Sequence, residues 1–302
     1  MPHTSDPFRK KFEPDFDQLY QPVQDAMIGM TPLESRCRRP LQMSFDEHLR
    51  ALVYFHLEEH TSARHSLHIP EEDDFAREVI APEDGIKKSG FSEAANSRGL
   101  ERFLYVFQNL QKPAAGILPG GYPELGELVA IDGSLIDSVL SMDWADCRKG
   151  AEKAEVHVGS DLNRTIPRKV FLTDGKGAER PFVSRILSPG ETGVMDRGYR
   201  CHESFDSRQK EKKHFVCRIK AETTKTIVEK FDVDPDSIVF FDAIVLLGAP
   251  AINQTRNEVR LVGYKVDGVN YQVATDRFDL TAEQIALIYK LRWDIEKFFA
   301  RW

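Results

Sequence analysis

Positions 112–127, KPAAGILPGGYPELGE, pack three prolines and four glycines into sixteen residues. Proline fixes φ and removes a backbone donor, glycine loosens the chain, and neither the helical nor the strand period survives such a tract. The chain is therefore expected to fold in two parts, with residues 112–126 as linker. The texture changes across it. Apolar residues recur at helical spacing before the tract, and short β-type runs separated by turn residues follow it.

In the first part, residues 1–43 are rich in proline and charge, with Phe8, Phe12, Phe16, Leu19 and Tyr20 as isolated anchors and Arg36, Arg38 and Arg39 as a basic knot. They are expected to form an irregular arm. Ser44 and Glu47 make a capping-box pattern that opens a helix lasting to about His60, with Leu49, Leu52, Val53 and Phe55 along its apolar stripe. Further helices are predicted over residues 71–80 and 92–107, with a turn at Gly85. Residues 44–111 thus make a helical module, a pattern that suits a helix-turn-helix-like reader of DNA and equally any small helical bundle.

Beyond the linker the predicted order is three strands (128–132, 155–159, 169–173), a helix (181–187), a strand (193–196), a helix (202–213) and a strand (214–219). A β-rich block over residues 223–276 contains strands at 238–247, 259–266 and 269–274, the last two joined by the hairpin dipeptide Asp267, Gly268. Thr281 and Gln284 form a second capping-box pattern, opening a helix that runs to the end of the chain. Residues 127–222 and 277–302 are expected to share one α/β core that the β-rich block interrupts.

Composition narrows the class. With 41% apolar and 29% charged residues and a formal charge of −7, the chain is of the soluble globular type. No apolar run approaches the roughly 18 residues of a membrane span. The best candidate, residues 238–247, is interrupted by Asp242 and suits a buried strand. The N-terminus lacks the apolar stretch of a secretory signal, so a cytoplasmic location is expected. Cys37, Cys147, Cys201 and Cys217 are scattered without a C-x-x-C pair, which points to reduced packing thiols rather than a zinc ribbon or redox motif.

Three short segments carry chemistry: the DGS at Asp132, the DRGY beginning at Asp196, and the helix containing Tyr289, Arg292 and Glu296. Singly, each has an ordinary reading as turn, loop or surface ion pair. Together they place two aspartates at the ends of β-strands and a glutamate on a helix. A hard divalent cation such as Mg²⁺ takes carboxylate oxygens and keeps several waters, so three converging carboxylates without Cys or His suit it. Two such ions about 4 Å apart activate a nucleophile and stabilise the leaving oxygen of a phosphodiester, which implies phosphoryl transfer on nucleic acid. Helical spacing puts Tyr289, Arg292 and Glu296 on one face, where a cation and a phenol could hold DNA phosphates. The reading requires the three carboxyl groups to lie within about 10 Å of one another.

On these residues the sequence resembles the prokaryotic DDE transposases of the insertion-sequence-four family. Asp132 matches in DGS, Asp196 in DRGY, and Tyr289, Arg292 and Glu296 in the Y-x2-R-x3-E signature. The segments at Gly85 to Ala95 and Glu296 to Ala300 share the flavour of these proteins, and the resemblance covers roughly residues 45–302. Spacing agrees too: 63 residues separate Asp132 from Asp196 and 99 separate Asp196 from Glu296. The second interval is too long for a minimal core, and in the family a β-rich insertion fills it.

The resemblance implies a ribonuclease-H-like core, a mixed sheet flanked by helices. It also implies two Mg²⁺ ions, with Mn²⁺ able to substitute, held by Asp132, Asp196 and Glu296. Double-stranded DNA would be the substrate, cut at terminal inverted repeats and joined to a target, with or without a hairpin intermediate, by a homodimer on DNA. Arg197, Tyr199, Tyr289 and Arg292 become phosphate contacts. The family signature adds a Lys beyond the motif Glu, and the chain stops at Trp302, where that Lys would come next. The expectation is therefore a truncated, fragmentary or degenerate element, and a nuclease without strand transfer or a non-catalytic DNA-binding remnant stand as alternatives.

Other features point less far. His56, His60, His65 and His68 match no zinc spacing. Seven cations between Arg208 and Lys225 oppose only Glu211 and Glu222. Within that run Lys212 and Lys213 are candidates for phosphate contact, against the ordinary reading of a solvated helix face. Neither a Walker pattern nor a G-x-S-x-G is present.

Overall fold

The computed structural model describes residues 16–33, 41, 43–57, 75–81, 85, 87–118, 120–137, 146–148, 151–174 and 179–299. It divides into two compact units, Met1–Gly116 and Ile117–Trp302.

The first unit is helical. Phe16–Ala26 (α1) and Phe45–Leu57 (α2) are followed by a one-turn π-helix, Ala76–Ile80, and then by Lys88–Ser97 (α3) and Leu100–Ile117 (α4). The expected capping box opens α2: the Glu47 N–H donates to Ser44 Oγ at 3.2 Å and the Ser44 N–H to Glu47 Oε2 at 2.6 Å. Three features depart from the sequence reading. Residues 16–26, within the expected irregular arm, are helical, because Phe16 and Tyr20 share a face and are buried beside Ala51, Tyr54, Ala76 and Ile80. The single helix expected over 92–107 is two, broken at Gly99, whose φ of +77° a side chain would resist. Finally, α4 runs through Pro113 to Ile117, into the stretch read as linker.

The second unit is built on one ten-stranded mixed sheet. Its strands are Leu128–Asp137 (β1), Asp146–Arg148 (β2), Ala151–Asp161 (β3), Ile166–Asp174 (β4), Thr192–Met195 (β5), His214–Arg218 (β6), Lys225–Lys230 (β7), Val239–Leu247 (β8), Val259–Val266 (β9) and Val269–Thr275 (β10). The spatial order is β2-β3-β1-β5-β6-β10-β9-β8-β7, and β4 also pairs with β3. β1, β5 and β6 are mutually parallel, and every other pairing is antiparallel. The β-rich block continues this same sheet, because β10 pairs directly with β6. Its hairpin turns at Asp267 and Gly268, both at positive φ, as the dipeptide predicted.

Helices cover both faces. Arg180–Ile186 (α5) and His202–Lys210 (α6) contribute Val183, Ile186 and Phe205 to a core with Val129, Ile131, Met195 and Phe215. Ala282–Leu291 (α7) and Trp293–Phe299 (α8) lie on the other face, where Ile285, Ile288, Tyr289 and Ile295 meet Ala130, Val158 and Val194. The mixed sheet flanked by helices is the architecture expected of a ribonuclease-H-like core. Two strand glycines let α5 lie close: a Cβ on Gly159 would meet Ile186 at 2.3 Å, and one on Gly193 would meet Leu187 at 2.7 Å.

The start of the parallel strands is tied by Arg277. Its Nη1 donates to the Leu125 carbonyl at 2.9 Å and to Thr192 Oγ1 at 2.8 Å, while Nε and Nη2 grip both oxygens of Asp279 at 2.8 Å. Thr281 and Gln284 close the second predicted capping box. The final helix is not continuous: it tightens at Arg292 before resuming as α8. Among the described residues no helix is long and apolar enough to cross a membrane. Cys201 and Cys217 are free thiols.

Candidate active site

Strand alternation decides where the acidic residues point. In β1, Val129 and Ile131 face α5 and Ala130 faces α7, so Asp132 belongs to the α7 face. Ile131 is the register partner of Met195, and Asp196 directly follows Met195 on the neighbouring parallel strand. The two aspartates therefore emerge side by side on adjacent strands about 5 Å apart, on one face and where the β1–β5 pairing stops; Asp132, expected at a strand end, lies in the middle of β1. β5 stops there while β1 continues to Asp137 against β3, so the chain peels away at Asp196 and opens a notch beside Asp132.

Each aspartate is held by its own loop. Asp132 Oδ1 accepts the Gly133 N–H at 3.0 Å. Asp196 caps the one-turn helix Arg197–Tyr199, its Oδ1 accepting the Gly198 N–H at 2.7 Å. The third carboxylate arrives from α8. Arg292, almost fully buried, places Nη1 3.6 Å from Asp132 Oδ2 and Nη2 2.5 Å from Glu296 Oε1. One planar guanidinium thus spans the two groups and keeps those oxygens within about 8 Å of each other.

The electrostatics show how crowded this place is. Burial pushes the Asp132 carboxyl up to about 6, the Arg292 cation and the Gly133 N–H pull it back, and the Asp196 and Glu296 carboxylates push it further up. Arg292 itself is raised: burial works against its charge, but Glu296, Tyr289 and Asp132 outweigh that. Among the described residues no three acidic, histidine or cysteine side chains form a ready-made ion cage. At this place the Arg292 guanidinium stands between two of the acids. The donor set still fits a hard divalent ion, since it offers three carboxylates, no thiol and no imidazole, with one carboxylate raised by burial first and by its acidic neighbours last.

The other predicted site residues fall into different places. Arg197 is exposed beside Asp196. Tyr199 is buried at 1% exposure on the α5 face, so its phenol is a packing group rather than a surface contact. Tyr289 is also buried, packed against Tyr271 at 6.3 Å between ring centres, and supports Arg292 from beneath with the cation 5.8 Å from its ring centre. Lys212 and Lys213 precede β6, at the opposite end of the parallel strands from Asp196. Lys212 is exposed in a turn with φ of 56°, and Lys213 Nζ is engaged with the Ser184 carbonyl at 3.0 Å and Glu211 at 2.6 Å. The structure does not bring these two lysines to the carboxylates. His60, His65 and His68 lie outside the described residues.

Sequence reasoning missed Glu179 and Arg180 at the start of α5. Arg180 Nε donates to the Gly198 carbonyl at 3.2 Å, and the Glu179 carboxyl carbon lies 3.4 Å from where a Gly133 Cβ would stand. No spacing signal announces them, because they approach the site from the opposite face of the sheet.

Comparison with known proteins supplies the family context. Residues 124–302 match the family described as the transposase DDE domain. A protein of Geobacillus stearothermophilus named as a probable transposase for insertion sequence element IS5377 is 26% identical over 164 residues, covering 53% of this chain and 43% of that protein. A Synechocystis protein named as a candidate transposase for insertion sequence element IS4SA is 25% identical over 215 residues, covering 69% of this chain and 59% of that one. The chain thus spans about half the length of these curated relatives.

Proposed function

The chain belongs to the transposase DDE domain family, of the insertion-sequence-four type, and on that premise we propose that it cuts DNA at transposon ends and joins the freed end to target DNA. Membership brings divalent-metal chemistry on DNA in general. The finer reading is that Asp132, Asp196 and Glu296 hold two Mg²⁺ ions, replaceable by Mn²⁺, with the protein acting as a homodimer on terminal inverted repeats in the cytoplasm.

The observation that carries this reading is the placing of Asp132 and Asp196 side by side just where the parallel pairing of β1 and β5 stops, with Glu296 linked to Asp132 through one guanidinium. When bound, the ions supply an activated water and charge stabilisation of the leaving 3′ oxygen of a phosphodiester. Asp132 and Asp196 would bind them from the sheet and Glu296 from α8. For Glu296 to do so, Arg292 must let it go, and a released guanidinium beside the scissile phosphate is well placed to take a phosphate oxygen. Arg197, exposed next to Asp196, would hold a neighbouring phosphate. Hydrolysis leaves a 3′-hydroxyl, which in the joining step attacks a target phosphodiester and displaces a target 3′ oxygen.

The test is incubation of the protein with terminal-repeat DNA and Mg²⁺, read on a denaturing gel. Nicking at the repeat boundary followed by joining is expected. Nicking without joining would replace the transposase reading with a nuclease, and binding without nicking would replace it with a DNA-binding remnant.

A further inference from the structure

We propose that Glu179 and Arg180 are positioning residues that set the separation of the two strand-borne aspartates, and with it the affinity of the site for a divalent ion. The inference rests on the carboxylate site proposed above. Glu179 is the N-cap residue of α5 and Arg180 its first residue, on the face of the sheet opposite Arg292. From there they reach both aspartate loops at once.

Glu179 lies against Gly133, the residue whose N–H holds Asp132, with its Oε1 3.4 Å from the position of an added Cβ. It also lies against the Tyr199 hydroxyl, which has no well-formed hydrogen bond among the described residues and is raised far above its ordinary value by burial first and then by Glu179. Arg180 grips the same turn one residue earlier, through the Gly198 carbonyl at 3.2 Å. Gly198 in turn holds the Asp196 carboxylate through its own N–H at 2.7 Å. Two adjacent residues at the start of one helix therefore brace Gly133, Gly198 and Tyr199, one residue from Asp132 and two and three from Asp196. Partners of metal-ligand loops fix where the ligands point, and losing them costs about 10- to 100-fold in metal affinity.

The opposite charges of the pair make the idea testable apart from simple electrostatics. Removing a negative charge near a cation site should weaken binding, and removing a positive one should strengthen it. Positioning predicts weakening in both cases. The experiment is titration of the metal-free protein with Mn²⁺ alone, followed by the electron paramagnetic resonance signal of the free ion, with thermal midpoints measured alongside. Expected are losses of about tenfold or more for Glu179→Gln and for Arg180→Gln, with midpoints unchanged, and a smaller loss for Arg180→Lys, which keeps a donor. Wild-type or tighter binding in Arg180→Gln overturns the proposal, as does a loss matched by a fall in midpoint in both variants. Asp196→Asn is the control on the underlying site. If it binds Mn²⁺ as tightly as wild type, the carboxylate reading itself fails. If it loses the ion while Glu179→Gln and Arg180→Gln keep it, only the brace fails.

Discussion

The two ends of the parallel strands β1 and β5 are built on opposite terms. At their start, Arg277 uses its guanidinium on the Leu125 carbonyl, Thr192 and both oxygens of Asp279, so a buried cation is matched donor by acceptor. At their finish, the half-buried Asp132 lies near two other carboxylates and is held up to about 6, and the buried Arg292 Nε has no hydrogen-bond partner among the described residues. The first end spends its interactions on holding the sheet together. The second ties its acids to Arg292 and to loop N–H groups but leaves Arg292 Nε unmatched and Asp132 raised, as expected where an incoming ion or phosphate is to supply a missing partner.

On that contrast, the largest effect belongs to chemistry at the finishing end. Asp196→Asn should lower cleavage of terminal-repeat DNA by about a thousandfold or more, the loss of several kcal/mol of transition-state stabilisation, while DNA binding by gel shift is retained. Next comes stability at the starting end. Arg277→Ala, which strands the Leu125 carbonyl and Asp279, should cost about 3 kcal/mol in denaturant unfolding yet leave Mn²⁺ affinity of the folded protein nearly unchanged. A coupled loss of both would merge the two ends into one device.

The third effect has the opposite sign. The folded Asp132 carboxyl titrates above its ordinary value near 4, so the folded state favours its neutral form, and its ionisation opposes folding increasingly as pH rises from about 4 to about 6. Asp132→Asn should therefore stabilise the metal-free protein by about 2 kcal/mol at pH 7, with the gain vanishing below about pH 4. A variant that is inactive and destabilised at pH 7 would contradict the picture of an uncompensated carboxylate. The smallest effect separates the cations: Arg197→Ala should weaken binding of terminal DNA by about tenfold, and Lys212→Ala, at the other end of the strands, by less than about twofold.

Much of this was legible in the sequence, for identifiable reasons. Both capping boxes formed because they are local, needing only residues three apart. The hairpin at Asp267 and Gly268 formed because few residues other than glycine and its small polar companions accept positive φ. The end of β5 could be read from an apolar run closing on an aspartate, whereas β1, expected to stop at Asp132, runs on to Asp137 because β3 pairs with it that far. What the sequence hid was long-range. Pro22 disguised α1, whose evidence was the spacing of Phe16, Tyr20 and Val23 rather than its composition. The burial of Tyr199 and Tyr289 depended on which sheet face each met, and the distance of Lys212 from the carboxylates depended on strand direction. Glu179 and Arg180 gave no signal at all, since only the packing of α5 across the sheet brings them near the two aspartates.

That packing has a consequence of its own. Because Gly159 and Gly193 floor the trough in which α5 rests, a single methyl at either position would act as a shim under the helix's far end. A rigid seven-residue rod levered there must move at its other tip as well, where Glu179 and Arg180 sit. Two hydrogen atoms in the middle of the sheet, touching neither metal nor DNA, thereby become part of the tolerance to which the reaction centre is machined.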